Sequence, residues 1–252
     1  MTLPFPKATR RFSRTAAFGL AVLALIILSV CNRLSTPRND MHRRPIIQQT
    51  KSECELQYWR GRKKAEHHLG NSWYQALMTE AWNMSTSDFR QKKVLDLGCG
   101  PRGSLQFLKE QNAQLVCVDP LAKEYGQLGA DKHFMTYVAV NAETMPFMDG
   151  AFDIVTSLNS LDHVDSMEAA SREMTRVLRS GGLMIIQVHI NHPATTCEPS
   201  PFSQYEIFGA FASLTRIHFS VHPPGGNEAL SKGSLPNSYD KPATGLFMFR
   251  KP

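Results

Sequence analysis

Residues 94–103 read VLDLGCGPRG, an apolar run that ends in glycines with the spacing G-x-G-x-x-G. The next segment, SLQFLKEQ (104–111), has helical spacing, and a second apolar run, QLVCVD (114–119), ends at Asp119. Glycines in such a turn let the backbone approach a ligand closely. A strand, a tight glycine turn and a helix, followed about 20 residues later by an acid, are typical of a nucleotide-binding turn.

Apolar runs and helical segments alternate along much of the chain beyond this turn. The predicted strands are KKVLDLG (92–98), QLVCVD (114–119), MTYVAV (135–140), FDIVTSL (152–158) and LMIIQVHI (183–190). Helices are predicted between them over residues 121–129 and 165–182, the second ended by the Gly181-Gly182 pair. Near-continuous apolar strands separated by helices indicate an α/β fold with a doubly wound, mainly parallel sheet covered on both faces.

The segments on either side of this region also predict structure. Residues 53–82 are rich in aromatics and predict one or two helices before the sheet, broken at Gly70. Residues 205–212 predict a short helix. Residues 214–221 and 244–251 predict two strands that pair as an antiparallel hairpin at the edge of the sheet.

The charge of the chain is concentrated at its N-terminal end. The net charge is +6, but residues 1–44 hold eight Lys or Arg and one acid, whereas residues 45–252 hold 20 basic and 21 acidic residues. A protein that binds nucleic acid needs a basic face on the domain that makes the contact. We therefore expect no nucleic-acid partner, and the oligomeric state stays open.

Residues 16–31 read AAFGLAVLALIILSVC and follow several arginines. This uncharged run predicts a single-pass membrane anchor over residues 1–31, joined by a linker (32–52) to one domain (53–252). A cleaved secretory signal and a mitochondrial transit peptide are the alternatives. Both flanks of the run are positive, so the side of the membrane that the domain faces stays open.

Asp96 and Pro101 narrow the ligand expected at the glycine turn. A carboxylate at the mouth of the turn would repel a pyrophosphate and attract an ammonium group. Pro101 removes a backbone N–H that a phosphate would use. Adenosine ribose and an amino-acid ammonium group occur together in S-adenosylmethionine, which is therefore the expected ligand.

With these motifs the chain resembles the class I S-adenosylmethionine-dependent methyltransferases of the small-molecule type. Five blocks carry the resemblance in the family's order: VLDLGCGPRG, VCVDP, NAETMPFMDGAFDIV, SLNSLDHV and REMTRVLRSGGLMII. The resemblance implies a seven-stranded Rossmann-like methyltransferase fold for residues 53–252, with residues 53–88 as a helical lid. It also implies transfer of a methyl group from S-adenosylmethionine to a small-molecule or lipid-like acceptor.

The resemblance further implies which residues bind the cofactor. Asp96 would hold the methionyl amino group, Asp119 the ribose hydroxyls, and Asn159 would lie under the methionyl part. The full implied set is Asp96, Gly98, Cys99, Gly100, Asp119, Pro120, Asn141, Ala142 and Asn159. Asn141 departs from the acid usual in the family, but its amide carbonyl can still accept from the adenine amino group.

His163 follows the fourth predicted strand, where the family places residues that face the transferred methyl group. As a hypothesis it is the general base that takes a proton from the acceptor, because the ordinary pKa of histidine lies near neutrality. Asp162 would orient it or begin a helix. In the alternative interpretation, His163 only packs against the sheet.

The polar loop after the fifth strand is expected to line the acceptor pocket, since ligands bind beyond the carboxyl ends of such strands. It holds His189, His192, Cys197 and Glu198, whose residue types could bind zinc. Their spacing matches no closed metal site, so no metal is predicted.

The cysteines and the pre-sheet aromatics allow simple interpretations. Five widely spaced cysteines without a C-x-x-C pair predict neither a disulfide framework nor a zinc ribbon, and Cys99 is interpreted as a small residue that fills the turn. A lid over the site and core packing fit the four aromatics equally well: Tyr58, Trp59, Trp73 and Tyr74. Asn83-Met84-Ser85 is a glycosylation pattern that matters only in a secretory lumen.

Two other functions stay open at this stage. A nicotinamide-dependent oxidoreductase is disfavoured by Asp96 and Pro101. A methyltransferase-like scaffold without catalysis would be expected to lack Asp96 or Asp119, and both are present.

Overall fold

The structure is a computed structural model that describes residues 46–225, 233–237 and 239–252. The predicted anchor over residues 16–31 and most of the predicted linker lie outside the described residues. Helix α1 (Ile46–Glu66) begins within the predicted linker. In the described part of the chain, no helix is both long enough and apolar enough to cross a bilayer.

One seven-stranded sheet organises the described residues, with the strand order β3-β2-β1-β4-β5-β7-β6. The strands are β1 (Lys93–Leu97), β2 (Gln114–Val118), β3 (Thr136–Val138), β4 (Phe152–Leu158), β5 (Leu178–Ile190), β6 (Thr215–His222) and β7 (Ala243–Arg250). Strands β1 to β5 pair in parallel, and β7 runs antiparallel between β5 and β6. This confirms the predicted α/β class, the mainly parallel seven-stranded sheet and the antiparallel edge hairpin.

Helices and turns connect the strands. They are α2 (Ser72–Ala76), which continues as a π-helix over Leu77–Ala81, α3 (Ala122–Gly126), α4 (Met167–Val177) and α5 (Gln204–Ala210), with 3₁₀ turns at Thr86–Phe89, Gln106–Gln111, Ala130–Lys132 and Leu161–His163. The break predicted at Gly70 lies between α1 and α2. Residues 104–111, predicted as a helix, contain a 3₁₀ turn instead, which ends where Asn112 adopts a left-handed φ of 52°.

The end of α4 differs from the prediction. The helix stops at Val177, because Leu178 is extended (φ −74°, ψ 130°) and already pairs with Phe152 of β4. Gly181 and Gly182 therefore do not cap the helix. A Cβ on Gly182 would lie 2.9 Å from the Asp153 carbonyl oxygen, so this glycine permits a close approach of two strands.

Alternate residues of each strand pack on opposite faces of the sheet. In β1, Leu95 belongs to the cluster that contains Met174 of α4, whereas Val94 belongs to the cluster that contains Phe89. All four side chains are fully buried. Both faces are thus covered, which is the condition that makes parallel strands continuously apolar.

This topology positions the site. From β1 the chain runs outward to β2 and β3, then crosses back to place β4 and β5 on the other side of β1. The connections after β1 and β4 therefore diverge and leave a crevice at the carboxyl ends of these strands, where α/β sheets bind ligands.

Candidate active site

A cavity of about 560 Å³ lies at this crevice, within the size range of small-molecule sites. Its lining joins the glycine turn, the ends of β2, β4 and β5, helix α1 and the loop after β5. Of the predicted cofactor set, the lining includes Gly98, Cys99, Gly100, Asp119, Pro120, Asn141, Ala142 and Asn159. Eight residues that lie up to 61 positions apart in sequence thus meet at one cavity.

Two positions of the turn can be occupied only by glycine without strain or crowding. Gly98 has φ +68°, and a Cβ there would lie 2.3 Å from the Cβ of Ser160. Gly100 has φ +58°, and a Cβ there would lie 3.2 Å from the ring of Trp59. A side chain at either position would be strained and crowded, so the turn keeps its backbone exposed to the cavity.

Asp96 lies behind the glycine turn rather than on the cavity wall. Its carboxylate is fully buried and accepts hydrogen bonds from the hydroxyls of Ser104 and Thr156, the latter at 2.5 Å. Burial raises the pKa of Asp96 to about 6, although both hydroxyls lower it. Asp96 therefore braces the turn through Ser104 and Thr156, and its contact with a methionyl ammonium group stays a prediction.

Asp119 is buried at the cavity wall, with both carboxylate oxygens on backbone donors. Oδ1 accepts from Leu121 N at 2.9 Å, and Oδ2 accepts from Gly100 N at 3.3 Å. The second bond ties the end of β2 to the glycine turn. Burial raises the pKa of Asp119 to about 7, while the two backbone hydrogen bonds lower it.

Asn159 follows β4 in a left-handed conformation, with φ 58°. Its backbone N–H donates to Gln187 O at 2.7 Å, which holds it against β5. Its side-chain Oδ1 is buried beside the cavity without a hydrogen-bond partner among the described residues. A buried acceptor of this kind favours a ligand that donates a hydrogen bond.

Helix α1 forms one wall of the cavity. The residues that it contributes recur with helical spacing along one face: Lys51, Ser52, Glu55, Tyr58, Trp59 and Arg62. Trp73 and Tyr74 line the cavity as well, and Tyr74 is only 6% exposed. The four aromatics thus contact the site, and Tyr74 also packs in the core.

Arg102 and Glu66 fasten this wall to the glycine turn, and sequence reasoning missed both residues. Arg102 Nη1 and Nη2 each donate to a carboxylate oxygen of Glu66 at 2.8 Å, and Nη1 also donates to Gly70 O at 2.7 Å. The guanidinium lies 5.4 Å from the Trp59 ring centroid. Hydrogen bonding to Arg102 lowers the pKa of Glu66. Nothing in the local sequence signals a pair 36 positions apart.

The cysteines overturn the prediction that they form no disulfides. Cys54 of α1 is bonded to Cys197 in the loop after β5, and Cys99 is bonded to Cys117, with Cα–Cα distances of 5.5 and 5.8 Å. Cys99 and Cys117 come together because the turn after β1 lies beside the paired strand β2. Cys54 and Cys197 are 143 positions apart, so their spacing in the sequence could not predict that they pair. Cys54–Cys197 links the α1 wall covalently to the opposite loop.

Ionisable side chains gather at the other end of the cavity. His163 Nδ1 lies 3.5 Å from Glu55 Oε2, and its Nε2 lies 3.8 Å from Asp162 Oδ1 and 3.9 Å from Glu198 Oε1. His189 Nδ1 lies 4.0 Å from Glu198 Oε1, and His192 Nε2 lies 3.6 Å from Asp162 Oδ2. The predicted base, its neighbour Asp162 and the polar loop thus form one group, and His163, His189 and Glu198 line the cavity.

Comparison with known proteins shows similarity between this chain and methyltransferases. Residues 95–186 match a family described as a methyltransferase domain. The chain is 32% identical over 124 residues to ajmaline N-methyltransferase of Rauvolfia serpentina. This match covers 46% of this chain and 43% of that protein. It is 26% identical over 122 residues to malonyl-[acyl-carrier protein] O-methyltransferase of Enterobacter lignolyticus. This match covers 48% of this chain and 49% of that protein. The match thus spans about half the length of these curated relatives.

A solved structure extends the likeness of the fold beyond the matched region. It is a complex between the Trm112 methyltransferase activator of Haloferax volcanii and a methyltransferase, with a TM-score of 0.56 and 17% identity. The match covers 79% of this chain and 97% of the other. At this identity the likeness concerns the fold alone.

Proposed function

We propose that this chain, which belongs to the class I S-adenosylmethionine-dependent methyltransferases, transfers a methyl group to a small-molecule or lipid-like acceptor. The observation that carries the proposal is a single cavity with two different ends. One part of the lining, the cofactor end, holds the glycine turn and Asp119, and another part, the acceptor end, holds His163 among carboxylates. A cavity that joins a nucleotide-type turn to a candidate base fits a group transfer between two bound molecules.

The first end fits the cofactor in three respects. Asp119 offers a buried carboxylate for two hydroxyl groups, Asn159 offers a carbonyl oxygen that has no partner in the described part of the chain, and Gly98 leaves the backbone open. When bound, S-adenosylmethionine supplies a methyl group on a positively charged sulfur and leaves as a neutral thioether. The chain's own contribution is to hold the two molecules in line in a site from which water is excluded.

His163 is the proposed general base of the transfer. Its ring is 23% exposed and lines the cavity, so it can reach a proton on an acceptor oxygen or nitrogen. Glu55 lies near one ring nitrogen and Asp162 near the other. These carboxylates stabilise the ring in the orientation that takes up the proton while the acceptor forms its new bond to carbon.

The lining of the cavity as a whole also favours a partly apolar acceptor. The α1 wall presents Tyr58 and Trp59 to the cavity, and Leu77 and Leu158 line it nearby. Aromatic and aliphatic walls with a few polar groups are typical of sites for small organic molecules. The two curated relatives methylate nitrogen and oxygen respectively, so the acceptor atom has to be found by experiment.

The test is calorimetric titration of the oxidised chain with S-adenosylhomocysteine, S-adenosylmethionine and, as a control, NADH. Micromolar binding of both adenosyl ligands without NADH binding is the expected result. Transfer of a labelled methyl group to candidate acceptors then tests the activity. Binding of NADH alone would revive the oxidoreductase alternative, and binding without any turnover would favour the scaffold.

For the N-terminal segment, the proposal is a membrane anchor over residues 16–31 with the domain in an oxidising compartment. The two disulfides support an oxidising compartment for the domain, since such bonds persist mainly outside reducing compartments. Asn83 of the glycosylation pattern is exposed, so it is accessible there. Alkylation of the chain isolated from its own cells, before and after reduction, tests it. Four cysteines that react only after reduction are expected, and four that react at once would exclude this compartment.

A further inference from the structure

Four side chains beyond the proposed base form a cluster, and of these only Asp162 has a part in the proposed methyl transfer, where it lies near the His163 ring. Asp162 comes from the turn after β4, His189 from the end of β5, and His192 and Glu198 from the loop that follows. One potential ligand atom from each of Asp162, His189 and Glu198 lies within 4.8 Å of the other two. These are the residue types that bind divalent transition metals.

Asp162 is the member of the cluster that most needs a proton or another positive charge beside it. Its side chain is fully buried, and neither carboxylate oxygen meets a hydrogen-bond donor on another described residue. A buried carboxylate is costly unless it is protonated or paired with a positive charge.

His192 points to the same requirement. Its Nδ1 lies 2.9 Å from Pro193 O, and a carbonyl oxygen can only accept, so Nδ1 carries the hydrogen. In the neutral ring, Nε2 then presents its lone pair to Asp162 Oδ2 at 3.6 Å, and no hydrogen-bond partner for Nε2 occurs among the described residues. Two electron-rich atoms face each other, which is favourable only when a proton or a metal cation lies between or beside them.

We propose that Asp162, His189 and Glu198 bind one divalent first-row transition metal ion, with His192 Nε2 as the fourth donor. Two carboxylates and neutral imidazoles balance the charge of such an ion. A bond length of about 2.1 Å places ligand atoms roughly 3–4 Å apart, so the cluster has to contract by about an ångström. The hydrogen bond from His192 Nδ1 to a carbonyl is the outer contact that commonly orients a metal-binding histidine.

The location of the cluster suggests what the ion would do. His189 and Glu198 line the cavity beside His163, so an ion bound there can contact an acceptor oxygen and lower its pKa. This role, unlike ion binding itself, rests on the proposed methyl transfer. It would favour an acceptor with an oxygen donor, such as a hydroxyl group beside the methylated atom.

The experiment uses the full chain without a histidine tag, kept oxidised and freed of metals with a chelator. Titration with Zn²⁺ and Mn²⁺ by calorimetry, checked by elemental analysis after dialysis, is expected to give one bound ion per chain. Co²⁺ substitution should give visible absorption from d–d transitions, which reports nitrogen and oxygen ligands directly.

Matched variants separate this site from adventitious binding. Asp162→Asn and His189→Gln should each weaken ion binding about 10–100-fold. The exposed controls Glu168→Gln and His68→Gln should leave it unchanged. Binding of S-adenosylhomocysteine and the circular dichroism spectrum show whether each variant is folded.

Two outcomes would overturn the metal site. One is the absence of a bound ion in the native chain, which would mean that protonated histidines pair with the acids instead. The other is equal affinity in the folded Asp162→Asn variant, which would mean that the ion binds outside this cluster. Ion binding with no effect on turnover would reject the role in the reaction but keep the site. Failure to bind S-adenosylhomocysteine would reject the proposed function and leave the ion titration as an independent test.

Discussion

The two ends of the cavity are built in opposite ways. At the cofactor end, backbone groups and a few neighbouring residues make the site: Asp119 accepts from Gly100 N and Leu121 N, and glycines open the turn. At the acceptor end, side chains from separate segments converge, and several of their polar atoms have no hydrogen-bond partner within the described chain. Apart from Asn159 Oδ1, the first end is bonded before a ligand arrives, whereas the second depends more on what binds there.

This difference fits the two tasks. A cofactor that never changes can be bound by a rigid turn whose hydrogen bonds are already set. An acceptor that differs between enzymes is better served by loops on which side chains can vary without disturbing the sheet. If this division is correct, substitutions at one end should change binding or turnover without affecting the other.

The largest effect is expected from His163→Gln. Loss of a general base should lower kcat about 100-fold or more and leave the Kd for S-adenosylhomocysteine unchanged. Steady-state kinetics and calorimetry on the same sample measure both, with the exposed His68→Gln as control. Full turnover in the variant would show that His163 only packs at the cavity wall.

The next effect is on the cofactor end alone. Asp119→Asn removes a charged acceptor and should weaken S-adenosylhomocysteine binding about 10–100-fold, or roughly 1.5–3 kcal/mol. Asp131→Asn, an exposed acid nearby in sequence, is the matched control. Metal affinity should not change, and a parallel loss of ion binding would contradict the independence of the two ends.

The pH dependence of cofactor binding should follow Asp119. Its pKa in the free protein is raised to about 7 by burial, so the carboxylate is mostly ionised at pH 8 and mostly protonated at pH 6. Because the ribose hydroxyls donate to the ionised form, the Kd should rise about tenfold between pH 8 and pH 6. The Asp119→Asn variant should lose this component, and an identical pH profile in the variant would assign the dependence to another group.

The smallest effect concerns the α1 wall that both ends share. Arg102→Lys replaces a two-pronged contact with Glu66 by a single one and should lower the free energy of unfolding by about 1 kcal/mol. The Kd for S-adenosylhomocysteine should rise less than about fivefold. Denaturant unfolding measures the first value. Arg172→Lys in the exposed Arg172–Glu168 pair is the control and should change stability by less than about 0.5 kcal/mol.

Much of the fold and the cofactor end could be predicted, because the signals for them lie within short segments of the sequence. Each of the strands β1 to β7 contains an apolar run that marks it in the sequence, although the run at 183–190 covers only the later part of β5, and the glycine turn carries its own spacing. Prediction failed where a long-range contact overrides a local signal. Leu178 leaves helix α4 to pair with Phe152, so the helix predicted to run to Gly182 ends at Val177.

The sequence alone determined the order of strands and helices, the glycine turn and the identity of Asp119 as its partner acid, because these depend on periodicity and on residues close along the chain. Only the tertiary structure decided that Cys54 meets Cys197, that Arg102 holds Glu66, and that Asp162 faces His192. Such pairs come from the ends of different strands and from a helix outside the sheet. They become neighbours only when the sheet forms, so the sequence around either residue does not predict its partner.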